Sequence, residues 1–239
     1  VYLVWRWDIF DPELVFPTRR NKLFWDAKVA IAKRQATRIM TVSRASADDL
    51  ERILHISRDR IDVITEGPDP VFRKLDDPEA SQSVRARLGI DAQDTLLVYV
   101  GGLSPHKNLL GLLRAMPGVL ARRPDVRLAI VGDTSGTGFY DNVAELKRFV
   151  QAHPQLQARV LFTGYVSDQD LVQLYNTAAA LVLPSLWEGF GLPAVEAMAC
   201  GLPVLASRRG SLPEVIADAG LLFEPEDPAD ITRNILNML

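Results

Sequence analysis

From Thr95 onward, short and almost continuously apolar runs alternate with longer stretches in which apolar residues recur every three or four positions. The runs Thr95–Val100, Val126–Val131, Arg159–Phe162, Ala180–Leu183, Pro203–Ala206 and Leu221–Phe223 have the length and the β-branched content of strands. Between them the spacing predicts helices over Asn108–Arg122, Asp141–Ala152, Asp168–Asn176, Leu192–Ala199 and Leu212–Ile216, with a last one from Pro228. Strands without polar alternation are those covered on both faces, the condition of a parallel sheet between two layers of helices. The βαβ rhythm therefore predicts a doubly wound α/β domain over residues 94–239.

The region before it has a different texture. A basic amphipathic stretch from Pro17 to Arg38 precedes a strand at Ile39–Ser43, a helix from about Ala47 to Leu54 and a strand at Ile61–Thr65. That is too little for a complete domain, so residues 1–67 read as the end of a partial Rossmann-like unit. Pro68, Pro70 and Pro78 among acidic residues make 68–93 read as an interdomain linker. The chain opens at Val1 in text that already reads as structured protein, so its beginning is expected upstream.

Composition narrows the partners. With 48% hydrophobic and 24% charged residues and a net charge of −3, the chain is an ordinary globular protein with no global reason to bind nucleic acid, so any anion site is local. Cys200 is the single cysteine, which excludes an internal disulfide and makes a reducing, cytoplasmic setting the default. The longest apolar runs, such as Ala178–Leu183, are far too short to cross a bilayer.

The most informative segment is Pro184-Ser-Leu-Trp-Glu-Gly-Phe-Gly-Leu-Pro-Ala-Val-Glu-Ala-Met-Ala-Cys-Gly201, which follows a buried strand and opens a helix. Gly189 and Gly191 let backbone approach a ligand, and Pro193 suits a first helical turn, where its missing N–H is no loss. The helix start then presents free N–H groups and a partial positive charge, a place for phosphate. Glu188 before the loop and Glu196 one turn into the helix can each take adjacent hydroxyls of a ribose or hexose. Two polyol readers beside one anion site suggest a sugar nucleotide.

This string resembles the glutamate-flanked signature of the retaining family-4 glycosyltransferases, which have the two-domain GT-B fold. Three further segments are similar to that family's motifs: Tyr99-Val-Gly-Gly-Leu-Ser-Pro-His-Lys-Asn108 to its first donor-domain loop, Phe162-Thr-Gly-Tyr-Val-Ser167 to its base-binding loop, and Gly210-Ser-Leu-Pro-Glu214 to the turn after its next strand. Thr41-Val-Ser43 with Asp48, Asp49 and Leu50, then Gly67 to Phe72, resembles the end of its acceptor domain and the crossing to the donor domain. The resemblance implies that Glu196 holds the ribose, Glu188 contacts the donor sugar, and backbone N–H groups of Phe190, Gly191 and Leu192 meet sugar hydroxyls or phosphate. It places Gly101, Gly102 and Gly189 at the donor and Tyr165 and Val166 against its base. Lys107 would neutralise the diphosphate as the leaving group gathers charge. The chain departs from the pattern at Gly102, where many members carry an arginine; His106, Arg208 and Arg209 are the candidates to compensate.

The implied reaction is transfer of a hexose from a nucleoside-diphosphate sugar to a hydroxyl acceptor, a sugar or lipid-linked sugar, with retention and without a metal or other cofactor. The Ser-Pro-His-Lys-Asn loop and the Ser-Leu-Pro-Glu turn lean towards GDP-mannose, with UDP-sugars close behind. The family's remaining acceptor-domain contacts lie upstream of Val1 and its closing helix beyond Leu239. The alternative is therefore a nucleotide-sugar-binding module without turnover. The stretch Pro17–Arg38, with Arg19, Arg20, Lys22, Lys28, Lys33, Arg34 and Arg38 against Asp26 alone, suits either an anionic membrane surface or a helix packed on the rest of the acceptor domain. Other features carry less. Asp168-Gln-Asp170 reads as the acidic first turn of a helix rather than a metal site. Gly132-Asp-Thr-Ser-Gly-Thr-Gly138 reads as a mobile connection, and Gly101-Gly-Leu-Ser-Pro105 lacks the glycine spacing of a nicotinamide-binding fingerprint. His55 and His153 sit in no metal-ligand spacing.

Overall fold

The computed structural model describes residues 18–76, 78–135 and 142–239. The N-terminal part is helix α1 (Arg19–Gln35), strand β1 (Ile39–Thr41), helix α2 (Arg44–Leu54) and strand β2 (Ile61–Val63), with β1 and β2 parallel. Ile39, Ala47, Leu50, Ile56 and Ile61 form its small core. Helix α2 begins at Arg44, earlier than the apolar spacing indicates, because the Ser43 hydroxyl accepts the Ser46 N–H and caps it. Helix α1 carries the basic stretch; it buries no residue fully and leaves Leu23, Phe24 and Ile31 exposed.

The segment read as linker contains a helix, α3 (Pro78–Arg87), that packs on α7 (Asp168–Thr177). Phe72, Val84 and Ile90 from this segment belong to the main core. The Arg85 guanidinium is buried and donates to the carbonyls of Thr177, Asp91 and Asp94, which pins the segment to the larger domain. The prolines that suggested a linker mislead because Pro78 opens the helix, where an absent N–H costs nothing.

The larger domain runs β3 (Thr95–Val100), α4 (Leu109–Leu120), β4 (Val126–Val131), α5 (Val143–Ala152), α6 (Pro154–Gln157), β5 (Val160–Gly164), α7, β6 (Ala180–Leu183), α8 (Leu192–Ala199), β7 (Val204–Ser207), α9 (Leu212–Ile216), β8 (Gly220–Phe223) and α10 (Pro228–Met238). Its six strands are all parallel in the order β5-β4-β3-β6-β7-β8. The strands match the apolar runs to within two residues at each end. The chain winds outward from β3 to β5, returns to place β6 beside β3, and winds outward again to β8. That reversal makes the carboxyl ends of β3 and β6 the topological switch point, where the sheet opens a crevice for ligands. This is the doubly wound parallel α/β domain that the βαβ rhythm predicts. The connection after β4 was expected to be mobile; residues 136–141 lie outside the described residues, while Gly132 sits so close to β3 that a Cβ there would fall 2.1 Å from the Gly101 carbonyl oxygen.

Candidate functional site

The two loops that leave β3 and β6 carry the two most distinctive sequence motifs, and the switch point brings them together. The β3 loop turns through Gly101 and Gly102, whose carbonyl accepts the buried Tyr99 hydroxyl at 2.6 Å, and then through a 3-10 turn at Pro105–Lys107. Four hydrogen bonds lace it to the β6 loop. The Leu186 N–H donates to the His106 carbonyl (2.8 Å), the Asn108 amide donates to the Pro184 carbonyl (3.1 Å), and the Lys107 ammonium donates to both Glu188 carboxylate oxygens at 2.8 Å. Ser185 adds a third bond to Glu188, hydroxyl to Oε1 at 2.7 Å.

The signature loop itself is held by serines from outside it. The Ser211 N–H and hydroxyl both donate to the Glu188 carbonyl, and the same hydroxyl reaches the Phe190 carbonyl at 2.7 Å. The Gly189 carbonyl accepts from Ser43 (2.6 Å) and Ser46 (3.1 Å) across from the N-terminal part. The Trp187 indole N–H donates to Asp49 at 3.1 Å, also on that side. Sequence reasoning caught Ser43 and Asp49 only as parts of an acceptor-side motif and missed the rest; a hydroxyl that supports a loop leaves no periodic mark.

Beside these loops lies a cleft of about 570 Å3. Gly101, Gly102, Tyr165, Val166, Leu192 and Glu196 line it, together with Gly132, Asp133, Asp168 and, from the crossing segment, Gly67 and Asp69. Tyr165 is 83% exposed and stands at the rim. Burial holds the Glu196 carboxyl above its ordinary range, the nearby Asp168 adds to the rise, and the Tyr175 hydroxyl at 3.4 Å works against it. Burial and the same Glu196 push the Tyr175 phenol well up, so it stays protonated and able to donate.

The remaining sequence-derived residues are not part of this lining. Glu188 is engaged by Lys107 and Ser185, and the buried Phe190 borders a second pocket of about 440 Å3 with Val42, Arg44, Glu66 and Glu214. Gly191 begins α8 in a left-handed conformation (φ +102°), and Leu192 and Pro193 of that helix start stand in the cleft wall; Pro193 has no N–H, and the Ala194 N–H donates to the Gly191 carbonyl. The candidates to replace the arginine absent at Gly102 do not come forward. Burial and the adjacent Lys107 lower His106 to about 4, so it is neutral near pH 7. Arg209 pairs with Glu224 and Glu226, Arg208 pairs with Glu224, and neither lines the cleft. Asp168 and Asp170 occupy the first turn of α7 as expected, yet Asp168 also faces the cleft. Among the described residues no group of three or more His, Cys, Asp or Glu could hold a metal ion, and no helix is long and apolar enough to cross a membrane.

Comparison with known proteins agrees with this geometry. The profile of the family described as glycosyl transferases group 1 matches residues 81–239. The chain is 37% identical over 205 residues to O-antigen chain mannosyltransferase B of Escherichia coli, covering 84% of this chain and 51% of that protein. It is 35% identical over 211 residues to a D-inositol 3-phosphate glycosyltransferase of Mycobacterium sp. (strain JLS), covering 86% and 45%. Among solved structures, Anabaena Alr3699/HepE in complex with UDP-glucose superposes with a TM-score of 0.79 at 27% identity, covering 99% of this chain and 60% of that one. Sucrose-phosphate synthase from Thermosynechococcus elongatus gives 0.73 at 27% identity, covering 89% and 52%. The chain thus spans about half the length of the curated relatives it matches. With the family profile over two-thirds of its length and its motif loops at the switch point of the sheet, the chain belongs to the glycosyl transferases group 1 family.

Proposed function

We propose that this chain forms the donor side of a retaining glycosyltransferase that moves a hexose from a nucleoside-diphosphate sugar to a hydroxyl of a sugar or lipid-linked sugar. The observation that carries the reading is the convergence, at the β3/β6 switch point, of one lysine, one helix start and a desolvated glutamate beside a cleft of about 570 Å3. The base lies between Tyr165 and Val166, Glu196 takes the ribose hydroxyls, and the diphosphate meets Lys107 and the first N–H groups of α8. Glu188 and the signature-loop amides then face the hexose. As the bond to the anomeric carbon lengthens, charge collects on the leaving diphosphate, and Lys107 with the helix start stabilises it without a metal. The acceptor hydroxyl attacks from the same face and gives its proton to the leaving diphosphate oxygen, so the glycosidic bond forms with retention.

GDP-mannose is the first donor to test, in line with a mannosyltransferase among the relatives, and UDP-glucose the second, the ligand of the HepE structure. Calorimetric titration with GDP, UDP, GDP-mannose and UDP-glucose, beside Glu196→Ala and Lys107→Ala, tests the site. Binding of one nucleotide that both substitutions weaken supports it; no binding to any by a folded chain overturns it. Binding without transfer by this chain favours the module reading, because it spans about half of its relatives. The basic face of α1, with Leu23 and Phe24 exposed, supports peripheral contact with an anionic inner membrane surface. Cosedimentation with anionic vesicles, lost on Leu23→Ser with Phe24→Ser, tests that part.

A further inference from the structure

Three successive carbonyls of the signature loop, those of Glu188, Gly189 and Phe190, accept bonds from serines outside the loop. Ser211, on the donor side, holds the first and third. The middle one depends on the other half of the protein, because the two donors to the Gly189 oxygen, Ser43 at 2.6 Å and Ser46 at 3.1 Å, come from the N-cap and first turns of α2. Both serines are essentially sealed from solvent, at 1% and 2% exposure, so these bonds form where water does not compete. Two donors fill both lone pairs of one carbonyl. In a planar trans peptide the C=O and the following N–H point in opposite directions. Fixing the Gly189 oxygen towards α2 therefore fixes the Phe190 N–H on the side away from α2.

Two further contacts make this a docked surface. The Asp49 carboxylate, on the same helix, receives the Trp187 indole two residues before Gly189. On the opposite flank Glu214 of α9 receives the Ala45 N–H at the α2 start and the Arg44 guanidinium.

We propose that Ser43, Ser46 and Asp49 are positioning residues that orient the Phe190 amide for the donor hexose, so that the sugar part of the donor site is set from the acceptor-side half of the molecule. The proposal rests on the donor-site reading above. It separates the sugar from the rest of the ligand. The base, ribose and diphosphate meet Tyr165, Val166, Glu196, Lys107 and the α8 start, none of which α2 supports, whereas the hexose meets the peptide that α2 holds.

The test uses Ser46→Ala, which removes one donor to Gly189 and leaves the Ser43 cap of α2 in place, with Trp187→Phe as a second variant that removes the indole bond. Two quantities are measured on each: affinity for the nucleoside diphosphate and for the corresponding sugar nucleotide by calorimetry, and hydrogen exchange of the backbone amides of 188–191. The expected result is a fall of about 3- to 10-fold in affinity for the sugar nucleotide, the effect of one lost hydrogen bond. Affinity for the nucleoside diphosphate stays within about twofold, and the Phe190 amide exchanges faster. An equal loss for both ligands, or unchanged affinities, overturns the proposal. If wild type binds no nucleotide, the donor-site reading fails by itself. Exchange at 188–191 then decides the positioning claim: unchanged exchange in both variants overturns it, and faster exchange at Phe190 upholds the orienting role.

Discussion

Gly210 offers a test of how tightly the signature loop is held that requires no ligand. Its backbone lies in the left-handed region at φ +59°, and a Cβ built there would fall 2.8 Å from both the nitrogen and the carbonyl oxygen of Glu188. Those neighbours are backbone and cannot rotate away, so Gly210→Ala has to shift the loop. Gly89 is the matched control, because it has φ +67° and nothing within 4 Å of a Cβ. A left-handed alanine costs about 1–2 kcal/mol, and the stiffer unfolded chain returns about 0.4–1 of that, so Gly89→Ala should destabilise by roughly 1 kcal/mol. Overpacking against backbone adds about 1–3 kcal/mol, which brings Gly210→Ala to roughly 2–4 kcal/mol. Urea denaturation of wild type and both variants, followed by circular dichroism, measures the difference. Equal destabilisation of the two variants would refute the claim that Gly210 is fixed by the approach of Glu188 rather than by its dihedral alone.

Three other outcomes follow from the site and its support. Glu188→Ala frees the Lys107 ammonium from a carboxylate at 2.8 Å, so affinity for a nucleoside diphosphate should hold or rise while the extra affinity for its sugar nucleotide falls, read by calorimetry with the two ligands in parallel. On the donor-site reading, Glu196 accepts from both ribose hydroxyls with its two oxygens only when ionised, and burial raises its carboxyl; nucleotide affinity should therefore be full above that raised value, weaken as pH falls through it, and do so at higher pH in Tyr175→Phe, which lacks the bond that lowers it. Asp94, with a side chain 7% exposed, joins Arg127 (3.2 Å) and Arg159 (2.8 Å) at the far end of the sheet, so Asp94→Ala should cost roughly 2–4 kcal/mol by urea denaturation and leave nucleotide affinity unchanged.

The sheet was legible because burial on both faces writes itself into the central strands; Leu181, Val182, Leu205 and Ala206 are 0% exposed and sit where the apolar runs put them. The cleft lining was legible in part for a different reason. Gly101, Gly102, Glu196 and Leu192 lie where a strand gives way to a loop or a helix start, and such junctions have their own residue grammar. What the sequence could not show was which polar groups meet across long chain separations. Nothing in the spacing of Ser43, Ser46 and Gly189 announces a contact over more than 140 positions, and the Asn108 amide bridging to Pro184 and Pro225 is as silent. Helix α3 was hidden because its proline lies in the first helical turn, where a missing N–H is no loss.

The same distinction decides how the site can handle charge. Among the described residues, every ionisable side chain of the cleft lining is acidic or phenolic: Asp69, Asp133, Asp168, Glu196 and Tyr165. The arginine position is Gly102, His106 is neutral, and Arg208 and Arg209 are spent on Glu224 and Glu226. On the proposed donor-site reading, a diphosphate would therefore depend on Lys107 and on the α8 start, which contributes roughly half a unit charge. Glu188, itself fixed by the Ser185 hydroxyl, holds Lys107 in one geometry before any ligand arrives, so its side-chain entropy, about 2 kcal/mol for a lysine, is not lost at binding. The same carboxylate also offsets the ammonium's charge until the ligand competes for it. On that reading the site would bind its leaving group weakly in the ground state and gain most as charge on the diphosphate grows, the condition for stabilising a transition state more than a substrate.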